Sequence, residues 1–176
     1  MTFTDYIKRG WDVVQLKTDA VKELAVDEGG IGPAIGILAI GGVCAGIGSL
    51  NFMMMFIFPI MRIIGAFIFV AITHFAATTF FGGKGKLMGL AVPVFCASLI
   101  TWVSIIPIIG PTFLGFLAGL WMLVVTVVCV ENVYEGIDRG KAIASVAIPF
   151  VLFLIIGLML VVMGVGILAA TGVLAN

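Results

Sequence analysis

Charged residues crowd into the first thirty positions, the short stretch Lys84–Lys86 and the stretch Glu131–Lys141, and between these lie long apolar runs broken only by Arg62. A hydrocarbon layer of roughly 30 Å takes about 20 residues of helix. The runs therefore predict five spans, at about residues 33–58, 60–81, 87–107, 112–132 and 144–170. Backbone polar groups cannot face lipid unpaired, so the spans must be helices or a closed barrel, and the short alternating segments of a barrel are missing. The expected fold is all-α: a polytopic membrane bundle of five transmembrane helices over residues 31–176, preceded by a cytoplasmic amphipathic segment over residues 1–30.

That segment has a different period. Projected at 100° per residue, Phe3, Tyr6, Ile7, Trp11, Val14, Val21, Leu24 and Ala25 gather on one side, and Asp5, Lys8, Arg9, Asp12, Gln15, Asp19, Lys22 and Glu23 on the other. It predicts an interfacial helix packed under the bundle, with Gly10 as a point of division.

Turn chemistry places the remaining boundaries. Pro59 sets the turn out of the first span, the glycine-lysine run Gly82–Lys86 the turn between the second and third, and Pro107-Ile108-Ile109-Gly110-Pro111 an uncharged break before the fourth. Gly42 with Gly46, and Gly115 with Gly119, form two GxxxG pairs, which predict faces where helices pack closely. Arg62, a few residues into the second span, reads as an anchor reaching outward, and Trp102 as part of an interfacial belt.

Composition sharpens this picture. Hydrophobic residues make up 62% of the chain and charged ones 10%, with a formal net charge of zero; a soluble domain is nearer ~45–50% and ~25%. Eight of the nine basic residues fall on one side of the membrane if the N-terminus is cytoplasmic, so the positive-inside rule selects that orientation, with the C-terminus extracytoplasmic. The N-terminal residues lack the pattern of a cleaved signal, leaving the first span to target the chain to the cell membrane. Lys84, Lys86, Arg139 and Lys141 become the cations of turns set against lipid headgroups.

Candidate chemistry is sparse. His74 is the sole histidine; with Thr78 one turn on, and Glu131, it forms a candidate intramembrane polar site. The bland reading is a neutral histidine hydrogen-bonded between helices. Cys44, Cys96 and Cys129 stand singly, without metal-ligand spacing. The glycine-lysine turn is no Walker A, since Leu87 follows Lys86 where Ser or Thr is needed. HExxH and paired buried aspartates are missing, so no catalytic residue, metal, cofactor or nucleic-acid partner is expected.

Trp11 ahead of the first span, the turn Phe80-Phe81-Gly82-Gly83-Lys84-Gly85, Pro93, Ile108-Ile109-Gly110, Trp121 and Arg139-Gly140-Lys141-Ala142 together resemble the Yip (Ypt-interacting protein) domain family over nearly the whole chain. The resemblance implies five membrane helices and a cytoplasmic N-terminus; in eukaryotic members it further implies complexes with related membrane proteins and roles in vesicle formation and membrane organisation. Eukaryotic members also partner small GTPases and share a long N-terminal region with an Asp-Leu-Tyr-Gly-Pro motif; here that motif is missing, and the chain resembles the compact prokaryotic branch. The expectation is a non-enzymatic protein that organises membrane or recruits partners: lipids, further copies of itself, or related membrane proteins. The alternative is a small transporter or channel built on His74 and its polar neighbours.

Overall fold

The computed structural model describes residues 1–170, the side chains of residues 160, 161 and 164–170 excepted; the placement expected of the C-terminus lies outside these residues. Two short helices, α1 (Phe3–Val14) and α2 (Thr18–Ala25), precede α3 (Ile31–Gly48), α4 (Met54–Phe75), α5 (Leu87–Ala97), α6 (Gly115–Val133) and α7 (Arg139–Ala170). A π turn carries α4 on to Phe80, another leads into α6 from Gly110, and α5 continues as a 3₁₀ helix over Ser98–Ile105. Among the described residues, five helices are long and apolar enough to cross a membrane.

Why α5 tightens is local. Ser98 Oγ donates to the Phe95 carbonyl (2.6 Å) and Thr101 Oγ1 to the Ser98 carbonyl (2.5 Å), so hydroxyls occupy acceptors that the regular ladder would otherwise use. This helix is the axis of the molecule. Gly89 to Leu99 are all buried, with α1 and α2 on one side and α3, α4 and α6 around the rest. Helix α7 lies outermost, against α4 and α6. Phe56, Ile60 and Ile64 on α4, Phe116 and Leu120 on α6, and Leu152 and Ile155 on α7 are exposed. On a soluble protein so large an apolar surface would signal aggregation; on a bundle it is the lipid belt.

The loops gather at two ends. One end holds the α2–α3 turn and the two lysine-bearing turns; it gathers Lys84, Lys86, Arg139 and Lys141 and is the basic end in the positive-inside sense, with Asp27, Glu28, Glu131, Glu135 and Asp138 beside them. The other holds Ser49–Met53 and Ile106–Ile109, without a charge, and is tied by Ile108 N–H donating to the Gly48 carbonyl (3.0 Å).

The first turn corrects an expectation. The chain leaves α3 at Ser49 rather than at Pro59, and α4 begins at Met54. Ser49 Oγ donates to the Gly46 carbonyl (2.7 Å), Leu50 takes a left-handed φ of 54°, and Asn51 Oδ1 accepts from Met53 N–H (3.1 Å). Polar side chains that close their own turn outweigh one proline, which merely forfeits a hydrogen bond inside α4.

Gly10 likewise does not divide the N-terminal segment. It lies inside α1, and the break falls at Gln15–Lys17, where Leu16 adopts φ 64°. A Cβ on Gly10 would stand 2.5 Å from the Cys96 carbonyl oxygen, so this glycine serves a close helix crossing.

Candidate functional site

The N-terminal arm is a hairpin inserted beside α5, not a helix lying flat beneath the bundle. Its depth follows from three contacts. Phe3 reaches Gly36, Gly10 reaches Cys96, and Trp121 Nε1–H donates to the Val14 carbonyl (3.0 Å). At 1.5 Å of rise per residue, Trp121 stands about 18 Å above the basic end of α6 at Val133, and Cys96 about 14 Å above the start of α5. The α1–α2 turn therefore lies about 14–18 Å along the bundle from its basic end. Helix α2 then runs back down, its Ala25 carbonyl near Gly89 in the first turn of α5.

Sequence accounts for the grip. Tyr6, Val13, Val14, Ala20, Val21 and Leu24 are buried against the bundle. A buried tyrosine hydroxyl needs a partner, and Tyr6 donates to Asp27 Oδ2 (2.6 Å), tying the start of the arm to the turn into α3. That bond, and then burial, raise the Tyr6 pKa from 10.0 to about 12. Trp11 and Phe3 remain half exposed although the helical projection put them on the apolar side.

The opposite face is charged and internally linked. Arg9 bonds Glu23 across the hairpin (2.7 Å) and approaches Asp12 (3.6 Å), while Lys17 reaches Asp12 (2.6 Å). Lys17's hydrogen bond, followed by its charge and then that of Arg9, holds the Asp12 carboxyl below the usual carboxylate range. Thr2 does the same for Asp5 by donating to it, closing a capping box at the start of α1.

At the basic end the two lysine-bearing turns clasp each other. Lys84 and Glu135 exchange both backbone hydrogen bonds (3.1 Å each), Ile137 packs on Gly83, and the Tyr134 ring covers Gly85 so closely that a Cβ there would lie 2.6 Å from it. Tyr134 Oη lies 2.6 Å from His74 Nδ1, donating when that nitrogen is bare and accepting when it is protonated. Burial pushes the Tyr134 phenol well above its ordinary pKa.

His74, Thr78 and Glu131 do not form one polar site. Thr78 donates back to the His74 and Phe75 carbonyls within its own helix, and Glu131 pairs with Arg139 Nε (3.1 Å). Among the cations expected at headgroups, Lys141 donates to the Gly136 carbonyl (3.3 Å), while Lys84 and Lys86 have exposed side chains.

The two glycine pairs also part company. Gly42 and Gly46 face α4, where a Cβ would stand 2.5 Å from Pro59 Cα or Met55 Cα. A Cβ on Gly115 would lie 3.1 Å from both the Gly110 carbonyl oxygen and Ser104 Oγ, but a Cβ on Gly119 would meet nothing within 4 Å, so among the described residues this glycine packs against no helix and instead lines a cleft. Into that cleft comes Arg62. With α4 starting at Met54, the guanidinium is deeper than an outward-reaching anchor would be, and its Nη2 donates to Thr101 Oγ1. Trp102 also turns inward rather than joining a belt, its Nε1–H donating to the Ile37 carbonyl (3.1 Å).

Tyr134, Asp27 and Thr101 are thus the partners that reading the sequence missed. For Asp27 there was a signal: a tyrosine on the buried face of an amphipathic helix must find an acceptor. For the other two the pairing depends on which helices become neighbours.

The Yip1 domain family model matches residues 11–172. Comparison with curated proteins and with solved structures gives no match.

Proposed function

The chain belongs to the Yip1 domain family and is a multi-pass membrane protein, and on that footing we propose that it is a non-enzymatic organiser of membrane whose working element is the arm hairpin. One observation carries the reading. A charged face of Arg9, Asp12, Lys17 and Glu23 runs up the side of the bundle from near its basic end to about 18 Å above it, about half of a 30 Å hydrocarbon layer. Ions at that depth cannot be left against hydrocarbon, so headgroups and water are drawn down around them, thinning and deforming one leaflet beside the arm. Internal pairing into a chain of no net charge limits the cost and keeps the arm from being expelled. With the basic end cytoplasmic, as the distribution of lysine and arginine favours, the affected leaflet is the cytoplasmic one. The same face is where a further copy or a related membrane protein would dock, its mixed signs making it self-complementary.

Reconstitution tests this. Full-length protein in unilamellar vesicles should reduce their diameter or tubulate them, and protein lacking residues 3–25 should not. Equal vesicle shapes for both would end the membrane-organising reading. Crosslinking in native membranes, with cysteines placed at Arg9 and Lys17, separately asks whether a protein covers the face.

A further inference from the structure

Helices α4 and α6 stand apart over the floor made by α5, leaving a cleft of about 410 Å³, within the roughly 300–1,000 Å³ of ordinary ligand sites. Two glycines keep it open. Gly65 on α4 and Gly119 on α6 both line it, and at neither would a Cβ meet any atom within 4 Å. The walls between them are apolar, with Phe69, Val94, Phe95 and Met122, and Phe153 of α7 among the lining residues.

Arg62 is the only charged residue in this lining, and it shares the cleft with the Ser98 and Thr101 hydroxyls. At 1.5 Å of rise per residue it lies about 12 Å from the start of α4 at Met54. Its guanidinium sits beside Gly41 of α3, where a Cβ would lie 3.3 Å from the arginine Cζ. A guanidinium carries five N–H donors. One is met by Thr101 Oγ1, and no carboxylate among the described residues lies within 4 Å of it. None of the nine acidic residues lines the cleft, and Asp12 and Glu23, which the arm carries up the side of the bundle, are engaged by Lys17 and Arg9. A cation at this depth requires a counter-charge, and the chain's own acids are elsewhere.

We propose that the cleft between α4 and α6 is a binding site for an amphiphile with an anionic phosphate or carboxylate head, held by the N–H donors of Arg62 that Thr101 leaves free, while its hydrocarbon chain lies along the walls past Gly65 and Gly119. A guanidinium fork suits either oxyanion in bidentate fashion. A zwitterionic lipid would bring an ammonium group for which the lining holds no acid. The site is separate from the arm and does not depend on its effect on membrane shape.

The test uses full-length protein in phosphatidylcholine nanodiscs doped with a phosphatidylglycerol probe bearing a photoreactive group at its chain end. Labelling should fall on residues lining the cleft. Unlabelled phosphatidylglycerol or oleate should displace the probe, and whichever displaces it better identifies phosphate or carboxylate as the preferred head; added phosphatidylcholine should not. Arg62→Gln should weaken labelling by about tenfold or more, the loss of one charge-assisted pair, and Gly119→Leu should block it while leaving Arg62 in place. Displacement by phosphatidylcholine as effective as by phosphatidylglycerol, labelling outside the cleft, or labelling unchanged by Gly119→Leu would each overturn the proposal. If Arg62→Gln fails to fold, the wild-type competition and Gly65→Leu decide the matter in the same way.

Discussion

Gly10 of α1 and Cys96 of α5 meet backbone to backbone: a Cβ on the glycine would fall 2.5 Å from the Cys96 carbonyl oxygen and 2.8 Å from a methyl of Leu99. The arm can lie beside the central helix because that position carries no side chain. The arm is the element proposed to deform the membrane, and this crossing is what seats it against the bundle.

Gly10→Val should lever α1 away from α5. The obstacle is main chain, which cannot rotate aside, and overpacking of this kind typically costs about 1–3 kcal/mol. Faster proteolysis within the first thirty residues, with a lower unfolding temperature in detergent, is the expected result. An unchanged cleavage rate would show that the crossing does not hold the arm.

Tyr6→Phe removes the hydroxyl given to Asp27 and should loosen the arm by about 1 kcal/mol. The pH dependence has a definite sign. The folded-state pKa of Tyr6 is raised from 10.0 to about 12, so its contribution is complete below pH 10 and is lost as pH rises toward 12. Arm protection measured by hydrogen exchange should therefore converge for wild type and Tyr6→Phe at the alkaline end of that window; a constant gap would contradict the bond.

His74 and Tyr134 should be coupled. Tyr134→Phe and His74→Ala each break the same 2.6 Å contact, so the double variant should be less destabilised than the sum of the singles by about 1 kcal/mol. Strict additivity would mean that the contact contributes nothing. In liposomes, neither single variant should alter ion flux, because the histidine is engaged at the clasp of the basic end; a flux that disappears with His74→Ala would instead favour a transport pathway.

Gly46→Leu and Gly119→Ala should behave differently although both glycines end GxxxG motifs. At Gly46 the added side chain meets Met55 Cα at 2.5 Å, and a loss of ~3 kcal/mol or more, or failure to fold, is expected. At Gly119 it meets open space, and the change should stay within about 1 kcal/mol in either direction. Thermal unfolding of the two proteins side by side decides this, and equal losses would refute the distinction.

The sequence was legible wherever the membrane imposes its own rule. Hydrocarbon thickness and the need to satisfy every backbone group set the five spans, the charge pattern marked the basic end, and a helical period revealed the arm, because each of these is a one-dimensional constraint on a chain in a slab. The third span's limits differ from the expected ones by little more than its 3₁₀ end. The boundary at Pro59 moved because Ser49 and Asn51 form a turn through their side chains, a competition that residue type alone does not weigh.

What tertiary structure decided is which sides of the helices meet. A GxxxG pair has the same spelling whether it crosses another backbone, as Gly42 and Gly46 do, or opens a cleft, as Gly119 does. Arg62 reads as a surface anchor until α3 and α5 close around it, and His74 as a lone histidine until the clasp of two distant turns brings Tyr134 to it. The amphipathic arm was visible from its periodicity, but its depth beside α5 was not, since the spacing of apolar residues along a helix fixes which face is apolar and not what that face will lie against.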